Sequence, residues 1–291
     1  MEKISDIIDN IKVREDVLTF VSELEEGYLE YLRLLKSYGE DFVELYLSSF
    51  REYEISATIN DGTHIPFQTV FRMNSVRQKS IDNAVSMIEQ DFSFNEGMLH
   101  NVHKKLMEKD KRDYIVKGKY RQKSAELGYF TTDENGKRKG VVLYEAPSPE
   151  LVPEMMQEVL NFYNSEIDFN EQLKHPFLQA AVAHALVIHI QPYMDGNGRI
   201  SRVLHHTKLW QHANDILGIN LSSPALYFTS NYMLSRKGYR GKIDEINKNA
   251  LNNEAWNRWF SYNLGIIYEK LTQLNNEIGM LKMIYENSRS R

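Results

Sequence analysis

From Val13 to Tyr38 the apolar residues Val17, Phe20, Leu24, Tyr28, Tyr31 and Leu35 recur at alternating spacings of three and four, which predicts one stripe of a long helix. Glutamates crowd its other face, and Gly39 ends it. Phe42, Leu45, Tyr46 and Phe50 predict a second helix over 41–57. Between Asn74 and Lys109 two more patterns appear, one carrying Ile81, Val85 and Ile88, the other Met98, Val102 and Leu106. A helix over 150–164 opens with prolines, where a missing N–H costs least. Residues 176–190 are apolar almost all round, so that helix belongs in the centre of a bundle. Residues 199–213 read as another helix. A closing helix runs from about Ala255 with Trp256, Trp259, Phe260, Ile267 and Leu271 inward. Its end keeps a seven-residue rhythm through Leu274, Ile278 and Leu281; core or docking surface is one reading, and a homodimer seam the other.

One stretch breaks the helical period. Tyr129-Phe130-Thr131-Thr132 and Val141-Val142-Leu143-Tyr144 are β-rich runs around Asp133-Glu134-Asn135-Gly136, which predicts a hairpin with Asn135-Gly136 at its turn. The pattern therefore gives a mainly α protein, a helical bundle with a small β-hairpin.

Composition narrows the function classes. With 291 residues and 42% hydrophobic content the chain can bury a sizeable core. A net charge of −5, with no lysine-arginine block, gives no footprint for nucleic acid and no polybasic patch for a membrane. Cysteine is absent, which excludes disulfides, thiol nucleophiles and cysteine-zinc sites. No apolar stretch is long enough to span a bilayer and the start lacks the pattern of a signal peptide, so a cytoplasmic location is the expectation. His100 and His103 share a helix face at spacing three; without a third ligand in reach such a pair reads as structural.

The densest chemistry lies in His189 to Arg202, where Asp195, two glycines, Asn197 and two arginines follow the apolar helix within eight residues. Asp195-Gly196 and Asn197-Gly198 favour positive φ, so successive N–H groups can curl toward one anion. The loop precedes a helix, whose unpaired first amides and dipole also attract anions. Arg199 and Arg202, three apart, share a face from which two forks can grip phosphate oxygens. A plain turn is the alternative for the five residues Asp195 to Arg199 alone, since both dipeptides are strong turn formers.

The segment closely resembles the signature of the Fic (filamentation induced by cAMP) family, His-Pro-Phe-x-Asp/Glu-Gly-Asn-Gly-Arg-x-x-Arg. The family's Pro-Phe falls on Pro192-Tyr193, its acid on Asp195 and its last arginine on Arg202. The hairpin is similar to the family's flap, Gly118-Lys119-Tyr120-Arg121 to its Gly-x-x-Arg, and Ala146-Pro147-Ser148-Pro149 to its proline-rich approach. Tyr227-Phe228-Thr229-Ser230 and Arg236 to Arg240 are similar to two downstream stretches. The resemblance implies a Fic-type helical bundle with a β-hairpin flap. It divides the chain into an N-terminal helical region 1–53, a core 54–262 that includes the flap at about 118–146, and a C-terminal helix 263–291.

The resemblance also implies a reaction: a serine, threonine or tyrosine hydroxyl of a target protein, docked at the flap, attacks the α-phosphate of ATP and takes AMP. By the same resemblance Asp195 is the metal ligand, holding Mg²⁺. Gly196, Asn197 and Gly198 form the anion hole, Arg199 takes the β-phosphate and Arg202 the γ-phosphate. The region Ser56 to Gly62 resembles the inhibitory Ser-x-x-x-Glu-Gly of one subclass, with Asn60 where the glutamate belongs and Asp61 beside it. Asparagine cannot form the ion pair, so inhibition is weakened or moves to Asp61.

One position departs. Gln191 stands where the family has its catalytic histidine. An amide hydrogen-bonds a hydroxyl but does not take its proton near neutral pH. Loss of a general base typically costs a hundred- to ten-thousandfold in rate. His189, two residues away, leans to another helix face, and His205 and His206 lie further along the next helix. The expectation is a retained phosphate cradle with slow transfer, or a catalytically inactive nucleotide-sensing protein that presents its flap to a partner.

Overall fold

The computed structural model describes residues 3–39, 42–43, 94–108, 110–132, 134, 136–166, 169–218, 221, 226 and 236–289. The helix expected over 41–57, the inhibitory-region candidates Ser56, Asn60 and Asp61, the pattern at Ile81 to Ile88 and the Tyr227 to Ser230 stretch lie outside them, apart from residues 42–43.

The chain is a mainly α bundle with one β-hairpin. Helix α1 spans Ile4–Asn10 and α2 Glu15–Ser37. Helix α3, Glu96–Leu106, starts where the Asn95 side chain accepts from Met98 N at 2.9 Å, an N-cap that satisfies one orphan amide. Strands β1, Glu126–Thr132, and β2, Arg138–Glu145, form an antiparallel pair running from Glu126↔Glu145 to Thr132↔Arg138. Then come α4 Val152–Tyr163, α5 Pro176–Ile190, α6 Asn197–Leu217, α7 Arg236–Lys248 and α8 Asn253–Arg289.

Helix α5 is the axis. Thirteen of its fifteen residues are buried, which puts it inside the bundle as its continuous apolar pattern demands. Each fully buried Leu, Ile or Val contributes roughly 1.5–3 kcal/mol. His175 caps its start, Nδ1 accepting from Phe177 N at 3.3 Å, so His175-Pro176-Phe177 is a helix entry. Trp259 of α8 donates to Ala181 O at 2.8 Å, and Tyr163 of α4 to Leu204 O of α6 at 2.9 Å. In α2 the expected stripe is buried at Val17, Leu24, Tyr28, Tyr31 and Leu35, while Phe20 is half-buried against the Tyr268 ring, with centroids 6.2 Å apart. Residues of α1 and α2 belong to the same buried cluster as α5. Helix α8 is continuous through residues 262 and 263, and Leu274 and Ile278 pack into this core.

The hairpin carries its own irregularity. The register shifts at Leu127/Gly128, and a Cβ on Gly128 would lie 2.0 Å from Val141 O, so only glycine fits there. Gly136 takes φ +77° in the connecting turn. Tyr129, Val142 and Leu143 remain exposed on the hairpin. Tyr144 ties it inward, its hydroxyl donating to His189 O at 3.0 Å.

Candidate functional site

The site is the α5–α6 connection, residues 191–196, together with the first turn of α6. Helix α5 ends at Gln191, which adopts a left-handed conformation with φ 50° and ψ 59°. A non-glycine residue there needs support. Its support is Arg121. That guanidinium donates to Gln191 O at 2.7 Å, Ile190 O at 3.2 Å, Pro147 O at 2.5 Å and Lys123 O at 2.9 Å, and the Arg121 amide donates to Pro192 O at 2.9 Å. Arg121 thus satisfies the carbonyls that a helix C-terminus leaves unpaired, and draws the strand-bearing segment onto the loop.

The Gln191 side chain is bonded at both its nitrogen and its oxygen. Its Nε2 donates to Ile188 O at 2.7 Å and its Oε1 accepts from Asn197 Nδ2 at 2.8 Å. Asn197 donates also to Tyr193 O at 2.8 Å and accepts from Tyr193 N at 2.8 Å. These two buried amides bridge the end of one helix to the start of the next. Position 191 therefore holds hydrogen bonds and no titrating group.

Gly196 turns the chain with φ +85°, and a Cβ there would meet Met107 Sδ at 3.1 Å and His103 Nε2 at 3.2 Å. Helix α6 starts at the next residue. Asp195 sits at its mouth. Its Oδ1 accepts from Gly196 N at 2.5 Å and Arg199 Nη2 at 3.4 Å, and its Oδ2 accepts from Arg112 Nη2. Arg199 Nε is buried with no hydrogen-bond partner among the described residues, and Arg202 is buried one turn on. Two guanidiniums, Arg112 and Arg199, thus flank one carboxylate at a helix N-terminus. The arrangement attracts anions.

The expected pair His100 and His103 braces this loop. His103 Nδ1 accepts from Gly118 N at 2.9 Å, which leaves the ring proton on Nε2, and Nε2 donates to Asp195 O at 3.0 Å. Burial, the largest influence, pushes the His103 pKa down to about 4, so the ring is neutral at pH 7. It stacks on Tyr193 with centroids 3.8 Å apart and planes 9° apart, and the Tyr193 hydroxyl meets His100 Nδ1 at 2.9 Å. Tyr193 is fully buried, and desolvation raises its hydroxyl pKa far above the usual tyrosine value. Gly118, with φ +71°, is the only residue type that fits its place, since a Cβ would lie 2.8 Å from His100 O.

The other histidines stay away from the loop mouth. His189 faces Tyr144 at 3.1 Å and Asn247 at 3.3 Å, with its pKa lowered to about 4 by burial. His205 and His206 are buried, and His184 Nδ1 lies 3.3 Å from His205 Nδ1. The structure joins Gln191 to Asn197 and Asp195 to Gly196 and Arg199, with Gly198 in the first turn of α6 and Arg202 buried one turn on. Sequence reasoning missed Arg112 and the bracing role of His103. A lone arginine in a polar connector carries no pattern, whereas the spacing of His100 and His103 did flag a shared face.

Asp195 is the carboxylate to which the resemblance gives a magnesium ion. Magnesium is held by one or two carboxylates plus phosphate oxygens and waters. Here both Asp195 oxygens already accept from guanidinium groups. The donor set as it stands does not fit a divalent cation. No helix among the described residues is long and apolar enough to cross a membrane.

Residues 93–209 match the model of the Fic/DOC family. A protein adenylyltransferase Fic of Drosophila grimshawi is 36% identical over 87 residues, which is 28% of this chain and 17% of that protein; the chain thus spans about a sixth of the length of the curated relatives it matches. The fold is similar to a Fic family protein from Desulfovibrio desulfuricans G20, with TM-score 0.67, 18% identity, and 91% of this chain and 76% of that one covered. It is similar also to a Fic domain containing signaling protein from Bacteroides thetaiotaomicron, with TM-score 0.60, 17% identity, and 88% and 96% covered.

Proposed function

We propose, from the match of residues 93–209 to the Fic/DOC family, that the chain binds ATP by its phosphates at the Asp195 to Arg202 loop, as a domain of the protein adenylyltransferase type whose transfer step is impaired. The observation that carries this is the amide pair Gln191–Asn197, seated beside an intact glycine and arginine cradle.

In adenylyl transfer a target hydroxyl oxygen attacks the α-phosphorus, the bond to the bridging oxygen of the β-phosphate breaks, pyrophosphate leaves, and the hydroxyl proton goes to a base. The cradle supplies part of this. Amides of the first α6 turn and the Arg199 and Arg202 forks would hold phosphate oxygens and the charge that develops on them. Gly198 leaves the cradle open to backbone approach. The base is what the chain lacks, because Gln191 offers an amide already bonded on both sides. Magnesium enters no step of this account, because the surroundings of Asp195 do not suit it. The exposed Tyr129, Val142 and Leu143 of the hairpin are where a target protein's serine-, threonine- or tyrosine-bearing segment would dock.

The same amide lock favours a second reading, a catalytically inactive nucleotide sensor that acts by presenting its flap to a partner. Both readings require ATP binding. Calorimetric titration with ATP, beside Arg202→Ala, tests it: the expected result is saturable binding that weakens at least tenfold in the variant. Absence of binding by both proteins would leave only a helical scaffold.

A further inference from the structure

We infer that Arg112 is a built-in cation of the phosphate site, occupying the side of Asp195 that a divalent metal would take, so that this domain binds nucleotide phosphates without a metal. The inference rests on the nucleotide-binding reading above.

Arg112 lies outside the motif, in the connector between α3 and the hairpin. Its Nη2 donates to Asp195 Oδ2 and also to Asp110 Oδ2, the latter at 2.5 Å. Its Nε donates to Asp110 Oδ1 at 2.9 Å, and its own backbone amide donates to the same oxygen at 3.0 Å. One guanidinium nitrogen thus stands between two carboxylates, a position whose chemistry is that of a bound cation. The fork is held there from behind. Asp110 engages two of its nitrogens, and Nη1 donates to the Tyr114 hydroxyl at 3.0 Å. An arginine braced in this way is already oriented, so little further freedom is lost when it meets a ligand.

The groups on the other side of Asp195 are positive as well. Arg199 approaches Asp195 Oδ1 at 3.4 Å from α6, so the carboxylate is flanked by positive charge on both oxygens. A divalent ion arriving at Oδ2 would have to displace Arg112 and remain close to both guanidiniums. Nucleotide phosphates meet the opposite situation. Arg112 Nη1 has a second N–H beyond the one given to Tyr114, and the side chain is 44% exposed, so a phosphate oxygen can reach it from solvent. Arg112 then offers that one remaining N–H as a single charge-assisted contact for a phosphate oxygen, on the far side of Asp195 from Arg199.

The test is calorimetry of the full chain with ATP, once with EDTA and once with excess magnesium, repeated on Arg112→Gln. The wild-type dissociation constants should agree within about threefold, whereas Arg112→Gln should bind at least tenfold more weakly in EDTA and recover when magnesium is supplied. Circular dichroism melting checks that the surface variant remains folded. A wild-type affinity that falls tenfold or more in EDTA would overturn the inference and leave the nucleotide reading standing. An Arg112→Gln protein that binds in EDTA as tightly as wild type would also overturn it. No ATP binding by the wild type in either buffer would remove both.

Discussion

Asn197 donates its side-chain Nδ2 to Gln191 Oε1 at 2.8 Å, joining the residue that ends α5 to the residue that starts α6. The same glutamine returns its other end to Ile188 O at 2.7 Å. Gln191→Glu keeps the shape and the acceptor, yet sets a carboxylate oxygen against that carbonyl. Loss of a buried donor costs ~1–3 kcal/mol. Urea unfolding of Gln191→Glu should show a loss of this size, and an unchanged midpoint would mean that the amide is not locked.

Gly196 occupies a left-handed position with Met107 and His103 against its missing side chain. Gly196→Ala should destabilise the protein by about 1–3 kcal/mol, the range for a non-glycine residue forced into such a conformation. The clash with His103 should also lower ATP affinity, because His103 fixes the Asp195 carbonyl. Thermal melting and an ATP titration together check this. A variant that melts and binds like wild type would contradict the geometry.

Arg121 serves four carbonyls of buried or half-buried backbone while itself only 3% exposed. Lysine has neither the planar fork nor the donors for that set. Hydrogen bonds from charged groups contribute ~1.5–3 kcal/mol each, so Arg121→Lys should lose about 3 kcal/mol or more in chemical denaturation. A loss below about 1 kcal/mol would show that the capping is incidental.

The buried histidines set an acid limit. His103 has its folded pKa lowered to about 4 from an ordinary 6.5, so between those values the unfolded chain binds the extra proton. Stability from this residue is therefore complete above about pH 6.5 and is lost as pH falls toward 4. His189 and His175 are lowered to about 4 and His206 to about 3, all by burial, and act in the same direction. His103→Phe keeps a ring against Tyr193 and removes one titrating group. Its unfolding free energy should vary less steeply from pH 6.5 to 5, by up to ~1.4 kcal/mol per pH unit. An unchanged slope would mean that His103 is not held neutral.

Much of this arrangement is legible in the residues. The all-apolar run at 176–190 forms the central helix because no face of it tolerates water, and the two β-rich runs pair as antiparallel strands. Glycine and arginine spacing locates the loop because positive φ and helix-face periodicity are local properties. What stays hidden is long-range. Arg112 reaches Asp195 across 83 residues and Arg121 reaches Gln191 across 70, and no spacing rule connects such positions. Tyr193 falls on the motif's phenylalanine in the sequence, but its stacking on His103 depends on how α3 lies over the loop.

The central claim is an intact phosphate cradle beside a position that has lost its base. It is tested most directly by incubating the protein and its Gln191→His variant with α-labelled ATP, magnesium and cell lysate, and measuring label covalently attached to protein. The account predicts transfer by the variant at a rate roughly a hundredfold or more above wild type, the lower bound for restoring a general base. Equal labelling by the two proteins would contradict it.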